Sequence, residues 1–437
     1  MPRVVITGMG VTSPLGLTLS SLWESLSEGK SGVRACLSEE RLPIPYAAFA
    51  DAFTGNIDDF GDLEPQLKKT IRKGLKLMSR EIQMCIAATQ RAIVDAGISC
   101  GQLDPERVGT SIGCDYILTT ADELIEAFKA CYDDNRQWGF GVWGKKGLAK
   151  MTPLWQLKYL SNMPSCHIAI YNDFRGVCSS ITLSEASIGA TVGEAVHNIL
   201  SGKADVMVVG ATGSRLHPVK MMQTMLNELV AEDDESPEKV SRPFDSERFG
   251  MVLGEGAGSL ILESEEHAKK RGAKIYGEVV CGTYLAHVDR FLHTGSDLAF
   301  CTRTALTRAM TLLLERRGVS PDSIGHINAH GLSTPFGDRE EANAIRNVFG
   351  ERRIPVTAAK SYFGNLGAGS GAVEMIASVL ALQENKLFPI LNNVSCDSDC
   401  PISPVREFGI APGDSFIKLC VSPQAQASAI LIRKVSV

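Results

Sequence analysis

No stretch of this 437-residue chain reaches the about 18 consecutive apolar residues of a membrane-spanning helix. A positive excess is missing too. The formal net charge is −6, which argues against nucleic acid or an anionic membrane as principal partner. The opening, MPRVVITGMGVTSPLG, lacks the basic segment, apolar core and cleavage site of a signal peptide, so it is expected to be a buried strand entering a glycine-rich turn. The expected location is the cytoplasm. A paired-cysteine framework is also wanting. The twelve cysteines are scattered, and the tightest pair, Cys396 and Cys400, has neither a second pair nor a nearby histidine to complete a zinc site. Of the eight histidines only His326 and His330 share HxxxH spacing. They fall in a strand-like run, HINAH, where that spacing holds them about 13 Å apart instead of on one helical face. GEGAG at 254–258 runs into a strand pattern, SLILE, with no helix end to receive a phosphate. No metal and no cofactor are therefore expected. Aromatics make up only 6%, yet Trp138, Trp143 and Trp155 all fall within 132–160, as a local core cluster or as the wall of a cavity or partner interface.

What is present is ordinary globular material, 44% hydrophobic and 22% charged. Short apolar runs of strand length (RVVITGMG, ADVMVVGA, GSLILE, HINAH, SAILIRKV) alternate with amphipathic helical patterns. In EIQMCIAATQRAIVDAG, Ile82, Cys85, Ile86, Ile93 and Ala96 share a face that Thr89 interrupts, and Gly97 ends the helix. VEMIASVLALQENK is a second helix of this kind. The alternation predicts an α/β fold with helices covering sheets. Two polar, proline-bearing stretches, 232–250 and 394–409, are expected to be surface loops, and the first to mark a seam between residues 1–250 and 251–437.

The most informative segment is RGVCSSITLSEASIGATVGEAVHNILSGKADVMVVGATGS. VCSSITL reads as a strand. After Ser184 and Glu185 the period changes to helical, with Ile188, Val192, Ala195, Val196 and Ile199 recurring, and Gly202 closes the helix. Ala186, Ser187, Gly189 and Ala190 keep its first turns thin enough for deep burial. Glu185 thus stands at a strand-to-helix junction, where backbone N–H groups and the positive end of the helix dipole converge. A nucleophilic thiolate is favoured at such a point, and so is a carboxylate. Locally, Glu185 is equally well explained as an ordinary acidic residue of a helix's first turn.

These motifs, in this order, resemble the β-ketoacyl-acyl-carrier-protein synthases, the condensing enzymes of fatty acid and polyketide synthesis, over nearly the whole chain. VVITGMGVTSPLG, SRPFDSERFGMVLGEGAGSLILE, NAHGLSTPFGD and AAKSYFGNLGAGSGAVE carry the likeness. The resemblance implies a thiolase-like layered α/β/α/β/α fold of two similar halves. It also implies a site made of a cysteine, two histidines, a lysine and a glutamate. Counting along the motifs puts Glu185 at the cysteine position and Asn365 at the second histidine, while His330, Lys360 and Glu374 match the rest. Cys178 falls seven residues early, inside the strand. A carboxylate is a poor substitute for a thiolate because acyl transfer needs a thioester intermediate, and asparagine has no titratable proton. Ser422, Pro423, Gln424 and Ala425 replace the family's glycine-rich gating loop, and Phe249 and Met251 replace two residues of its DGF motif.

The resemblance is strongest to the chain-length factor, the silent subunit that pairs with an active ketosynthase in type II polyketide synthases. It implies a heterodimer, an acyl carrier protein engaged through the partner, and no nucleic acid or membrane. Two alternatives stand beside it: a malonyl-carrier decarboxylase supplying starter units, and an atypical condensing enzyme that recruits Cys178. A direct Glu185–His330 pair is expected to plug the old site, and residues 110–145 are expected to line the product tunnel.

Overall fold

The computed structural model describes residues 3–37, 42–99, 101–232, 236–288 and 295–435; of 295–300 it describes the backbone alone. Cys100 and residues 233–235 of the expected first loop lie outside the described residues. The principal strands are β1 (Val4–Thr12), β2 (Val108–Cys114), β3 (Cys178–Ile181), β4 (Val206–Ser214), β5 (Leu253–Ser264), β6 (Gly277–Ala286), β7 (His326–Asn328), β8 (Pro355–Thr357), β9 (Ser415–Val421) and β10 (Gln426–Arg433). Their order repeats one scheme. In β3-β2-β4-β5-β1 the first two pairings are parallel and the next two antiparallel, and β8-β7-β9-β10-β6 follows the same sequence of directions. The groups join where Val4–Ile6 of β1 pair with Gly277–Val279 of β6. β4 and β5 are buried almost throughout, which explains why they read as unbroken apolar or small-residue runs and not as alternating patterns.

Helices fill three layers around these groups. α1 (Leu19–Glu28) leads into the chain. α2 (Arg80–Asp95) and α3 (Met163–Asn172) cover the outer face of the first group. α4 (Ser187–Leu200) touches strands of both groups, and α5 (Pro218–Asn227) follows β4. α6 (Gly295–Arg317) and α7 (Pro335–Phe349) cover the outer face of the second group, while α8 (Gly369–Glu384) shares the middle layer with α4. This is the layered thiolase-like arrangement. The middle layer buries Ile188, Val192 and Ile199 against Ala372, Ile376 and neighbouring strands. α4 approaches β10 so closely that a Cβ on Gly189 would lie 2.2 Å from that of Ser428. On α2, Thr89 is buried with the apolar face and donates to Ser259 Oγ at 3.0 Å, so its hydroxyl is satisfied.

Two expectations change. β5 pairs only with strands that precede it, so a seam at 250 would cut β5 from its sheet. We propose instead that the halves part within residues 265–276. The stretch 232–250 is not simply a surface loop, because Arg242, Phe244, Asp245 and Arg248 are buried. Its polar groups are satisfied by the second proline-bearing stretch. Asp245 accepts the backbone N–H groups of Val394 and Ser395, both at 2.8 Å, and Arg248 donates to Asp397 at 2.7 Å. The charge that suggested solvent is spent on mutual pairing.

Candidate active site

The strand-to-helix junction forms as the sequence predicts, with one addition. Between β3 and α4, Ser184–Ala186 make a turn of 3₁₀-helix, and Ser184 holds a left-handed φ of 48°. The Ser184 hydroxyl donates to Asp115 at 3.1 Å, pinning this sharp turn. Glu185 is thereby carried inward, 1% exposed, at the start of the middle-layer helix.

Asn365 reaches Glu185 from the other half. It lies between two glycines of positive φ, Gly364 and Gly367, and its backbone bonds to Val252 and Gly254 on either side, at 2.8 and 2.9 Å. Its Oδ1 accepts from Gly367 N–H and Ser370 Oγ, both at 3.1 Å, which orients the amide so that Nδ2 donates to Glu185 Oε1 at 2.9 Å. The same carboxylate oxygen accepts from the Arg215 guanidinium. Arg215 was not singled out by the sequence motifs. Its only sequence signal is a charged residue directly after a fully buried strand. It also donates to Glu228 at 3.0 Å and to Thr224 Oγ1 at 3.3 Å. Burial works to raise the Glu185 carboxyl, but Arg215, Asn365 and its own backbone N–H outweigh it and hold it below the usual range. Burial raises Asp115 and Glu228 instead, with the Glu185 charge adding to both.

His330 sits in the loop between β7 and α7. Acidic side chains on α7 hold this loop from behind: Glu341 accepts the N–H groups of His330 and Gly331, at 2.5 and 2.8 Å, and Asp338 accepts that of Leu332 at 2.9 Å. Lys360 donates to His330 O at 2.9 Å and to Nδ1 at 3.3 Å. An ammonium can only donate, so Nδ1 accepts and Nε2 carries the proton. Burial, with Lys360, Lys418 and Arg215 nearby, pushes the imidazole well below its ordinary value, so it is neutral. Nε2 has no hydrogen-bond partner among the described residues. His330 lines a cavity of about 220 Å³ with Glu228, Met251, Leu332, Phe336 and Pro423.

Lys360 and Glu374 come together at 2.6 Å, and Lys418, from β9, pairs with the other Glu374 oxygen. Lys418 is a third party that the motifs did not reveal, because a lysine in the middle of an apolar strand looks like a flaw until its partner is known. The expected Glu185–His330 pair does not form. Glu185 bonds to Arg215 and Asn365, and His330 to Lys360 and Glu341. The physical reason is that a permanently charged guanidinium outcompetes a neutral imidazole for a buried carboxylate. Cys178 lies on β3, exposed, with its thiol 3.3 Å from Ser165 Oγ. Met251 is buried and its sulfur lies 3.5 Å from Asn365 Nδ2, whereas Phe249 is exposed. Ser422–Ala425 form a tight turn closed by an Ala425 N–H to Ser422 O bond of 3.0 Å, with Ala425 at φ 55°.

The chain matches the family models described as beta-ketoacyl synthase, N-terminal domain, over residues 1–268 and beta-ketoacyl synthase, C-terminal domain, over 293–393. It is 32% identical over 413 residues to the 3-oxoacyl-[acyl-carrier-protein] synthase 2 of Synechocystis, covering 92% of this chain and 91% of that protein. Among solved structures it resembles a type II polyketide synthase ketosynthase determined with its acyl-carrier protein, at TM-score 0.81, 25% identity and full coverage of both chains. The ishigamide ketosynthase/chain length factor shares the fold at TM-score 0.81, with 23% identity and full coverage of both chains.

Proposed function

Because the chain belongs to the β-ketoacyl synthase family, we propose that it is the silent member of a ketosynthase pair, a chain-length factor that binds an active ketosynthase and helps shape the product tunnel. The observation that carries this reading is the side chain at residue 185. A carboxylate, clamped by Arg215 and Asn365, fills the helix end where the family's thiol would attack. Cys178, the cysteine that an atypical condensing enzyme would recruit, lies on a sheet edge with Ser165 as its neighbour.

Partner binding has its own support. β3 ends the sheet, with no strand on its outer side among the described residues, and such an edge invites pairing with another chain. On the same part of the chain, Tyr116, Phe128, Trp138, Phe140 and Leu154 are exposed. Phe128 packs against Trp138 and Trp143 at centroid distances of 5.8 and 5.2 Å, so these rings form one aromatic surface. Aromatic surfaces of this kind are characteristic of protein interfaces. Acyl carrier protein would be served through the partner. In the test, the purified chain is offered radiolabelled acyl-carrier protein, alone and then with a cysteine-bearing ketosynthase. It takes up no label alone, and condensation requires the pair. Acylation of the isolated chain would overturn the proposal.

A second reading, malonyl-carrier decarboxylation, is favoured by one observation: the neutral His330 keeps an unpartnered Nε2–H on a cavity wall, where it could steady an enolate. Against it, the Glu185 charge repels a malonyl carboxylate and Asn365 Nδ2 is already engaged. Carbon dioxide release that rises in Glu185→Gln over wild type would favour this reading.

A further inference from the structure

Arg215 touches both the acid at the helix end and Glu228 on the wall of the neighbouring cavity. It is 8% exposed and lies just beyond β4, where its own N–H bonds to Gly254 O at 3.0 Å. One guanidinium nitrogen donates to Glu185. The other donates to Glu228, which follows α5 and lines the cavity beside His330. Glu185 Oε2 and Arg215 Nε have no hydrogen-bond partner among the described residues. The carboxylate is therefore held through a single oxygen, by Arg215 and one neutral amide. Without the cation, that amide and the helix-end N–H groups would have to support an ion buried to 1% exposure, an arrangement in which a carboxyl ordinarily takes up a proton.

We propose that Arg215 is the positioning residue of this site: its guanidinium orients Glu185 and ties it to Glu228, so that the pocket is closed by a fixed ion pair spanning from the helix end to the cavity wall. The inference rests on the reading of Glu185 as the occupant of the nucleophile's place. Its consequence is selectivity. A fixed anion at the helix end, tied through Arg215 to the wall of the cavity that His330 lines, excludes acyl groups that carry their own carboxylate.

The test reads charge and not catalysis. Full-length protein labelled with ¹³C-glutamate is followed by infrared difference spectroscopy, comparing each form with its Glu185→Gln counterpart. In the wild type, residue 185 gives a carboxylate band at neutral pH that persists under mild acid. In Arg215→Met it gives a protonated-carboxyl band at neutral pH, a change in proton affinity of at least about 100-fold. Arg215→Lys restores the carboxylate band, which a purely space-filling role would not require. Should the methionine variant not fold, Arg215→Gln, which keeps hydrogen bonding without charge, takes its place with the same expected band. A protonated Glu185 in the wild type, or an ionised one without the arginine charge, overturns the proposal. Acyl uptake by the isolated chain would sink the silent-subunit reading while leaving these spectra unchanged, so the two failures are distinguishable.

Discussion

The two sides of the site have been treated differently. On the His330 side, Lys360, Lys418 and Glu374 form a closed set of buried charges that also fixes the histidine loop. On the Glu185 side, a single buried carboxylate is balanced by the Arg215 guanidinium and the Asn365 amide. A reactive group at a helix end can be exchanged locally, provided one new partner neutralises it. A buried charge network cannot be dismantled one member at a time, because each deletion strands another ion. The network therefore has a structural reason to persist, independent of any chemistry at residue 185.

That contrast is broken most forcefully at Glu374. Glu374→Ala leaves two lysines facing each other in a fully buried layer. Loss of about 3–5 kcal/mol is expected, the usual cost of stranding a buried charge, and urea unfolding measures it. A loss below about 1 kcal/mol, the level of a surface pair, would mean that the network is dispensable and its persistence needs another explanation.

Glu341 gives a sharper, pH-dependent version. Burial pushes its carboxyl up to about 7, although the His330 and Gly331 N–H groups work against that. The folded value lies above the unfolded one, so the stability it contributes is fully present below about pH 4.5 and is lost as pH rises through about 7. The span corresponds to roughly 3 kcal/mol. Glu341→Gln should remove that downward slope from a plot of unfolding free energy against pH. It should also lower stability in acid by about 1–3 kcal/mol, because one amide oxygen cannot serve both backbone donors. An unchanged slope would show that the loop behind His330 is not held by this acid.

Much of this arrangement was legible in the sequence. The helix that carries residue 185 announces itself by its apolar period and its thin first turns, and Gly189 sits against Ser428 as that thinness requires. Glu185, His330, Lys360, Asn365 and Glu374 stand out as candidates because each lies in a motif run, and the structure joins Glu185 to Asn365 and Lys360 to both His330 and Glu374. The other partners of those residues do not stand out. Arg215 meets Glu185 across 30 residues and Lys418 meets Glu374 across 44, and nothing in either local pattern marks the pairing. The stretch 232–250 misled for the same reason. Its charges suggested solvent, but their partners arrive from residues 394–397, about 150 positions later.

The smallest expected effect tests the exposed aromatic surface. Phe140 is 72% exposed and lies tilted against Trp138 at 6.0 Å between centroids. If this aromatic surface belonged to the chain's own core, Phe140→Ser would cost the about 3 kcal/mol or more typical of a buried phenyl group. With the ring mostly in solvent, the change should stay within about 0.5 kcal/mol in the isolated chain. The same substitution should weaken association with an active ketosynthase, read as a loss of co-purified complex or a rise in dissociation constant of about fivefold to thirtyfold, the range for one interface aromatic of moderate weight. Equal affinity for the partner would remove Phe140 from the interface and leave β3 as the remaining candidate edge. A large loss of intrinsic stability would instead return the aromatic cluster to the core. Stability and association therefore pull apart at this residue, whereas the effect expected at Glu374 is on folding stability.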